Sequence, residues 1–267
     1  MSMTEQEYRS HPAISRSELW LFSESPQKFR YTKDNPPEPT PALLFGQVFH
    51  KLALEPDTFT AEFSVAPVVD RRTAAGKKEW QEFVEASAGK TVISADMFEQ
   101  ASAMVNSLNS VPLAVKLLDG VHEAPFFWTD ATTGETCKCR ADCLNTKYSQ
   151  PIIVDLKSAN DASTETFSKD AVKYGYDLQS AMYSDGVEAN IRRKPLFVFI
   201  VVEKNPPYAV NILQADDLFV QRGKNLFMDF ISEYHYCKQS GNWYGYMGRN
   251  CQINNLALPA WAAKELT

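Results

Sequence analysis

The sequence lacks any apolar run that approaches the length of a membrane span, and its opening Met-Ser-Met-Thr-Glu-Gln-Glu lacks signal-peptide character. It has no surplus of positive charge: 27 Lys and Arg stand against 33 Asp and Glu, a net charge of −6. That excludes a non-specific basic coat for nucleic acid but leaves room for a local basic channel. Cysteine is sparse, five in number and therefore odd, and no Cys-x-x-Cys spacing offers a zinc site. A reducing cytoplasm is the expected home. There is no internal repeat and no low-complexity tract. What remains is ordinary globular composition, 44% hydrophobic and 22% charged over 267 residues, enough for one large domain with a sizeable core.

The informative stretch runs from Cys137 to Lys157. Two segments of strand composition flank a turn-rich link at 146–150, as in a hairpin. If the turn centres near Tyr148, Asp142 falls opposite Asp155 and Arg140 opposite Lys157, and alternation puts these four on one face. Cys143, Val154, Ala141 and Leu156 then share the other, apolar face, with Cys137 and Cys139 continuing it. Two carboxylates so close repel unless a cation lies between them, and hard oxygen donors suit Mg²⁺ or Mn²⁺. A lysine two residues beyond the second carboxylate could orient an attacking water or neutralise charge at a phosphorus centre. The plainer alternative is an ion-paired sheet edge, Asp155 with Arg140 and Asp142 with Lys157. What else converges on the stretch decides between them.

The rest of the chain supplies candidates. Ile14-Ser-Arg-Ser-Glu-Leu opens a short helix capped by Ser15 or Ser17 and ended by Ser25-Pro26, and a proline-rich loop spans 34–41. A helix from Pro41 to Leu54 carries Gly46 and His50 one turn apart, so a position without a side chain sits above the histidine. His50 could reach a metal or phosphate, or be an ordinary surface histidine. Arg71, Arg72, Lys77 and Lys78 form the one concentrated basic stretch of the first half, read as a loop before a helix at 79–86; they could clamp phosphates or simply be solvated. Helices over 95–109 and 111–118 lead to a strand at 123–129. After the hairpin, Ser163 or Thr164 caps a turn of helix, and a further helix places Gln179 and Tyr183 one turn apart. A buried strand at 196–202, an outer strand at 208–213, an amphipathic helix at 216–238 and an irregular aromatic tail reaching Trp261 complete the chain.

Gly-x-x-x-His, Arg-Ala-Asp, Val-Asp-Leu-Lys and Gln-x-x-x-Tyr, in that order, resemble the RecB-like branch of the PD-(D/E)xK nuclease superfamily. The Ile-Ser-Arg-Ser-Glu-Leu and Ser-Pro-Gln-Lys-Phe stretches are similar to the start of that branch. Within it, nearly the whole chain, including the Arg-Arg-Thr-x-x-Gly-Lys stretch, resembles the RecE (exodeoxyribonuclease VIII) nuclease domains. The resemblance implies an α/β fold with a central mixed sheet flanked by helices and helical elaborations, and a single nuclease domain over 1–267, a span that could be the C-terminal part of a longer protein. It implies a Mg²⁺-dependent exonuclease, with Mn²⁺ as substitute, digesting double-stranded DNA from a free 5′ end. It further implies a homotetrameric ring and a single-strand annealing partner of the RecT type in recombination. Carried over by position, Asp142 and Asp155 would hold metal with His50 and the Leu156 carbonyl. Lys157 would position the attacking water, and Gln179 and Tyr183 would support the site or contact the scissile strand. The cysteine that serves an iron–sulfur cluster in several relatives is Ser25 here, and Cys237 and Cys251 lack cluster spacing, so no such cluster is expected.

Overall fold

In the computed structural model of the chain, residues 3, 5–259 and 262 are described; Trp261, the end of the aromatic tail, lies outside them. Caps written in the sequence start most of the early helices. α1 (Glu5–Ser10) precedes a two-residue strand β1 (Ile14–Ser15) and α2 (Arg16–Glu24). Ser15 Oγ accepts from Glu18 N while the Glu18 carboxylate accepts from Ser15 N, a capping box that settles which serine starts α2. Pro26 and Pro41 occupy the first positions of α3 (Pro26–Asp34) and α4 (Pro41–Leu54), where a missing N–H costs nothing. A 3₁₀ turn, α5 (Phe59–Glu62), β2 (Phe63–Val65), α6 (Ala74–Ala86) and β3 (Thr91–Ile93) follow. α7 (Ala95–Asn109), α8 (Pro112–Leu117), β4 (Val121–Thr129), β5 (Thr136–Asn145) and β6 (Ile152–Ala159) come next. α9 (Thr164–Lys173), α10 (Tyr176–Ile191), β7 (Leu196–Glu203), β8 (Val210–Gln214) and α11 (Asp217–Ser240) end the regular structure.

The central sheet is mixed, as expected, with strand order β4-β5-β6-β7-β8. β4–β5, β5–β6 and β7–β8 are antiparallel, and β6–β7 is the parallel pair that the α9–α10 crossover makes possible. β1 runs parallel to β5 at Cys137 and Lys138, on the edge that β6 has left by then. Helices cover both faces. One core, with Phe49, Met104, Val154, Leu156 and Ile200, lies beneath α4 and α7; others, with Ile153, Phe197, Val201, Leu178 and Met182, lie beneath α9, α10 and α11. Phe22, Phe29, Tyr234 and Trp243 meet edge to face or tilted and tie α2 and α3 to α11 and the start of the tail. Among the described residues no helix is long and apolar enough to cross a membrane.

Two expectations need correction, and a small second sheet is added to them. Lys77 and Lys78 lie within helix α6, which starts at Ala74 and not near Glu79: Thr73 caps it, and at Gly76 an added Cβ would stand 2.1 Å from Asp70 O. β2 and β3, too short to show alternation, pair in a separate parallel two-stranded sheet. Cys143 does not share a face with Ala141, Cys137 and Cys139. It packs with Val154 and Leu156 in the core under α4, while Ala141 packs in the opposite core and Cys139 faces Gly186 on α10.

α10 and α11 touch through Gly223, where an added Cβ would stand 1.9 Å from Asp177 O, on a helix that must not move. Gly223→Ala should lower unfolding free energy by about 1–3 kcal/mol, read from denaturant melts, although alanine is the better helix former.

Candidate active site

β5 and β6 hydrogen-bond over a short span. Cys143 faces Val154, Leu144 faces Ile153 and Asn145 faces Ile152, the register that a turn centred near Tyr148 demands. One more step would set Asp142 opposite Asp155, but the strands separate there. The Leu156 N–H then donates to Asp142 Oδ2 at 2.8 Å, so a side-chain carboxylate takes the place of a ladder carbonyl. The fork between β5 and β6 holds the candidate site.

β4 is bent at the same level. It pairs His122 with Cys143 and Ala124 with Ala141, while Glu123 between them takes φ 50°. Both ring nitrogens of His122 lie 2.7 Å from carbonyl oxygens, Nδ1 from that of Leu54 and Nε2 from that of Leu118, which fixes the strand on one side of the bend. The bend sends the Glu123 carboxylate toward Asp142 and breaks the facial alternation of β5, the reason Ala141 and Cys143 part company. α4 supplies His50, whose Nδ1 lies 3.5 Å from Asp142 Oδ2. One ligand atom from each of His50, Glu123 and Asp142 lies within 4.8 Å of the others. Open space surrounds Gly46, one turn before His50: an added Cβ there would meet nothing within 4 Å. The chain itself does not require glycine at that position.

Asp155 is almost wholly buried, at 1% exposure. Gln179 Nε2 donates to its Oδ1, and Lys157 Nζ is in ion-pair contact with Oδ2, which accepts no hydrogen bond of regular geometry. Burial raises the Asp155 pKa, Lys157 opposes the rise and Asp142 adds to it. For Lys157, burial disfavours the charge, but Asp155 and Asp142 outweigh it and hold the pKa above its ordinary value. Burial and the Asp142 carboxylate push Glu123 up to about 8, with Lys51 opposing the rise, and Arg140 Nε lies 2.7 Å from Glu123 Oε2. The ion pairs of the plainer reading are therefore rearranged: Arg140 serves Glu123, and Lys157 serves Asp155.

The predicted residues His50, Asp142, Asp155, Leu156, Lys157 and Gln179 converge on this fork. Tyr183 lies one turn beyond Gln179, its ring 6.3 Å from that of Phe197, and burial raises its phenol well above the ordinary value. Arg71, Arg72, Lys77 and Lys78 stand apart on exposed chain around the start of α6, with the Arg71 guanidinium 3.2 Å from the Trp80 ring centroid and Lys78 paired with Glu82 at 3.7 Å. Glu123 was missed by sequence reasoning, which took it for an ordinary first strand residue. Its role comes from a backbone turn that alternation does not register.

The donor set suits a divalent cation. It combines an imidazole nitrogen with carboxylates in a half-buried fork, beside a buried carboxylate oxygen that lacks a regular donor. His50, Glu123 and Asp142 would hold such an ion, with Asp155 adjoining.

Residues 15–256 match a family described as a PDDEXK-like domain of unknown function (DUF3799). Among solved structures, the crystal structure of a candidate exonuclease from Eubacterium rectale is similar over 100% of this chain and 98% of that one, with a TM-score of 0.63 at 16% identity. A second, SSO0001, covers 69% of this chain and 86% of its own at 11% identity, with a TM-score of 0.32 that supports no comparison. No curated protein matches the sequence. The likeness to the Eubacterium rectale structure is one of fold, and the family match spans most of the chain, forked strands and flanking helices included: the chain belongs to the PDDEXK-like family, with the fold of its nucleases.

Proposed function

We propose that this protein is a divalent-metal-dependent exonuclease of the RecE type, which digests double-stranded DNA from free 5′ ends and leaves 3′ single-stranded tails for strand annealing. The observation that carries the proposal is the fork itself. A nitrogen-and-carboxylate cluster of His50, Glu123 and Asp142 adjoins a buried Asp155–Lys157 pair. Family membership and the name borne by the Eubacterium rectale neighbour support a nuclease. The order of motifs carries the finer reading, together with its ring-shaped homotetramer and RecT-type annealing partner.

A bound Mg²⁺, for which Mn²⁺ can substitute, would supply Lewis acidity at the phosphate and an acidic water as nucleophile. His50, Glu123, Asp142, Asp155 and the Leu156 carbonyl are the groups that would hold it. The chain's own residues do the rest. Lys157 keeps its proton, because two carboxylates outweigh its burial, so it acts as a donor: its ammonium can orient the attacking water or meet charge growing on a phosphate oxygen. Gln179 fixes the Asp155 carboxylate through Oδ1 and leaves Oδ2 turned toward the lysine. Arg140 keeps Glu123 from being repelled out of the cluster. The open space above Gly46 gives a DNA strand a close approach to His50.

Linear duplex labelled at the 5′ or the 3′ end, with a covalently closed circle beside it, tests the activity. Release of small labelled products from the 5′ label, dependent on Mg²⁺ and with the circle intact, is expected. A cut circle would move the assignment to an endonuclease on the same fold, and binding without cleavage would leave a DNA-binding scaffold.

Two variants separate roles within the fork. Lys157→Ala should slow cleavage by about 10²- to 10³-fold. Glu123→Gln should instead raise the Mg²⁺ concentration needed for half-maximal rate roughly 10- to 100-fold, the scale expected when a metal-site group is removed. Unchanged Mg²⁺ dependence in Glu123→Gln would remove Glu123 from the site.

Arg71, Arg72, Lys77 and Lys78 are proposed to grip phosphates outside the fork. Changing all four to Ala should raise KM without changing kcat and flatten the salt dependence of binding, by a slope of about one for each phosphate no longer gripped. A salt slope equal to wild type would make this stretch a solvated one.

A further inference from the structure

The opening Ile14-Ser-Arg-Ser-Glu-Leu takes no part in the chemistry above, yet its arginine ends beside the fork. β1 pins Ile14 and Ser15 against Cys137 and Lys138, and the capping box fixes the first turn of α2. Arg16 therefore leaves the backbone in a set direction. Its Nε donates to Gly175 O at 3.2 Å and its Nη2 donates to Tyr174 O, so one guanidinium clamps two carbonyls of the turn between α9 and α10. That turn needs glycine: Gly175 has φ 66°, and an added Cβ would stand 2.4 Å from the Trp20 ring.

The next residue, Tyr176, opens α10. Its ring centroid lies 5.6 Å from Arg16 Cζ and 4.7 Å from Lys157 Nζ, both within cation–π reach. The ring is wedged among Phe167, Tyr174 and Phe199, with centroids 5.9–6.0 Å away. The Lys157 ammonium thus has two neighbours that fix it, the Asp155 carboxylate and the Tyr176 ring. A lysine ammonium is a point charge on a flexible four-carbon stem, and one carboxylate does not fix its direction. A ring on a second side does.

We propose that Tyr176 is a positioning residue for Lys157: its ring face, set by the Arg16 clamp on the α9–α10 turn, fixes the ammonium so that its free N–H groups point into the fork. The kinetic consequence rests on the nuclease reading above; the geometric one does not. Only the ring face is used, so Tyr176→Phe should behave as wild type. Tyr176→Leu keeps apolar contact with Phe167 and Phe199 but removes the platform.

The test has two arms, both on the full chain, with thermal unfolding to confirm that each variant folds. In metal-free protein, the Lys157 Hε resonances, assigned by their loss in Lys157→Arg, should be shifted upfield by the ring in wild type and Tyr176→Phe. In Tyr176→Leu they should return to the position of ordinary lysines. In the cleavage assay Tyr176→Leu should lower kcat roughly tenfold, with KM for DNA and the Mg²⁺ dependence within about twofold of wild type, and Tyr176→Phe should restore the rate. Unshifted Lys157 resonances in wild type, or full kcat in Tyr176→Leu, would overturn the proposal. So would a Tyr176→Phe as slow as the leucine variant, since it would assign the role to the hydroxyl. A wild-type protein that cuts no DNA would sink the nuclease reading, and the resonance arm would then decide this one alone.

Discussion

A carboxylate standing in for a backbone carbonyl holds the site together. Where β5 leaves β6, the Leu156 N–H would be stranded in a buried sheet, and a buried N–H without a partner costs about 1–3 kcal/mol. Asp142 Oδ2 satisfies it at 2.8 Å. That bond lets β5 run on to β1 with no loss, and it opens the fork in which every other group is arranged. Asp155 and Lys157 follow Val154 on the strand that stays; Arg140 and Asp142 precede Cys143 on the strand that leaves. Removing Lys157 would leave the buried Asp155 carboxylate with the Gln179 amide in place of a cation, a costly change because a buried charge needs its counter-charge.

The same constraint explains what the sequence revealed and what it hid. The register of the hairpin was legible, because both strands alternate around a polar link whose centre can be counted. Several helices with Ser or Pro at their starts were legible for a similar reason, since capping is local chemistry, but the Thr73 cap of α6 was passed over. The break at Asp142 was not. It depends on Glu123 taking φ 50° on a third strand, with its neighbour His122 held by carbonyls of Leu54 and Leu118, residues 68 and 4 positions away in the chain. A pattern of period two cannot carry that information: it keeps Cys143 with Val154 and Leu156 but puts Ala141, Cys137 and Cys139 on the wrong face, and it reads Glu123 as an ordinary strand residue. The start of α6 was hidden in another way. The basic stretch reads as a loop, but Gly76 within it permits Asp70 O to lie against a helix.

The candidate residues divided along the same line. His50, Asp142, Asp155, Lys157 and Gln179 lie on two helices and a hairpin; cross-strand spacing groups Asp142, Asp155 and Lys157, and only the order of motifs in the family resemblance joins His50 and Gln179 to them. Arg16 and Tyr176 are 160 positions apart and meet only because β1 docks on β5 and α10 begins at a left-handed glycine. No spacing rule links them. The sequence marks both ends of that contact, as a capped helix start and as an aromatic beside a glycine, without joining them.

Charge in the fork shows why a cation belongs there and where. Glu123 has Arg140, and Asp155 has Lys157. Asp142 has a backbone N–H donor and an imidazole nitrogen 3.5 Å away. Three carboxylates, those of Glu123, Asp142 and Asp155, thus crowd one fork. Glu123 shows the strain, since burial and Asp142 raise its pKa even with a guanidinium at hand. A polyanion would be repelled by such a surface. A divalent ion bound by His50, Glu123 and Asp142 would invert the sign of the local field, because a bound ion is the largest charge in such a site. The net charge of −6 is then no objection to a nucleic-acid substrate: the field that matters to a phosphate is set within a few ångströms of Asp142.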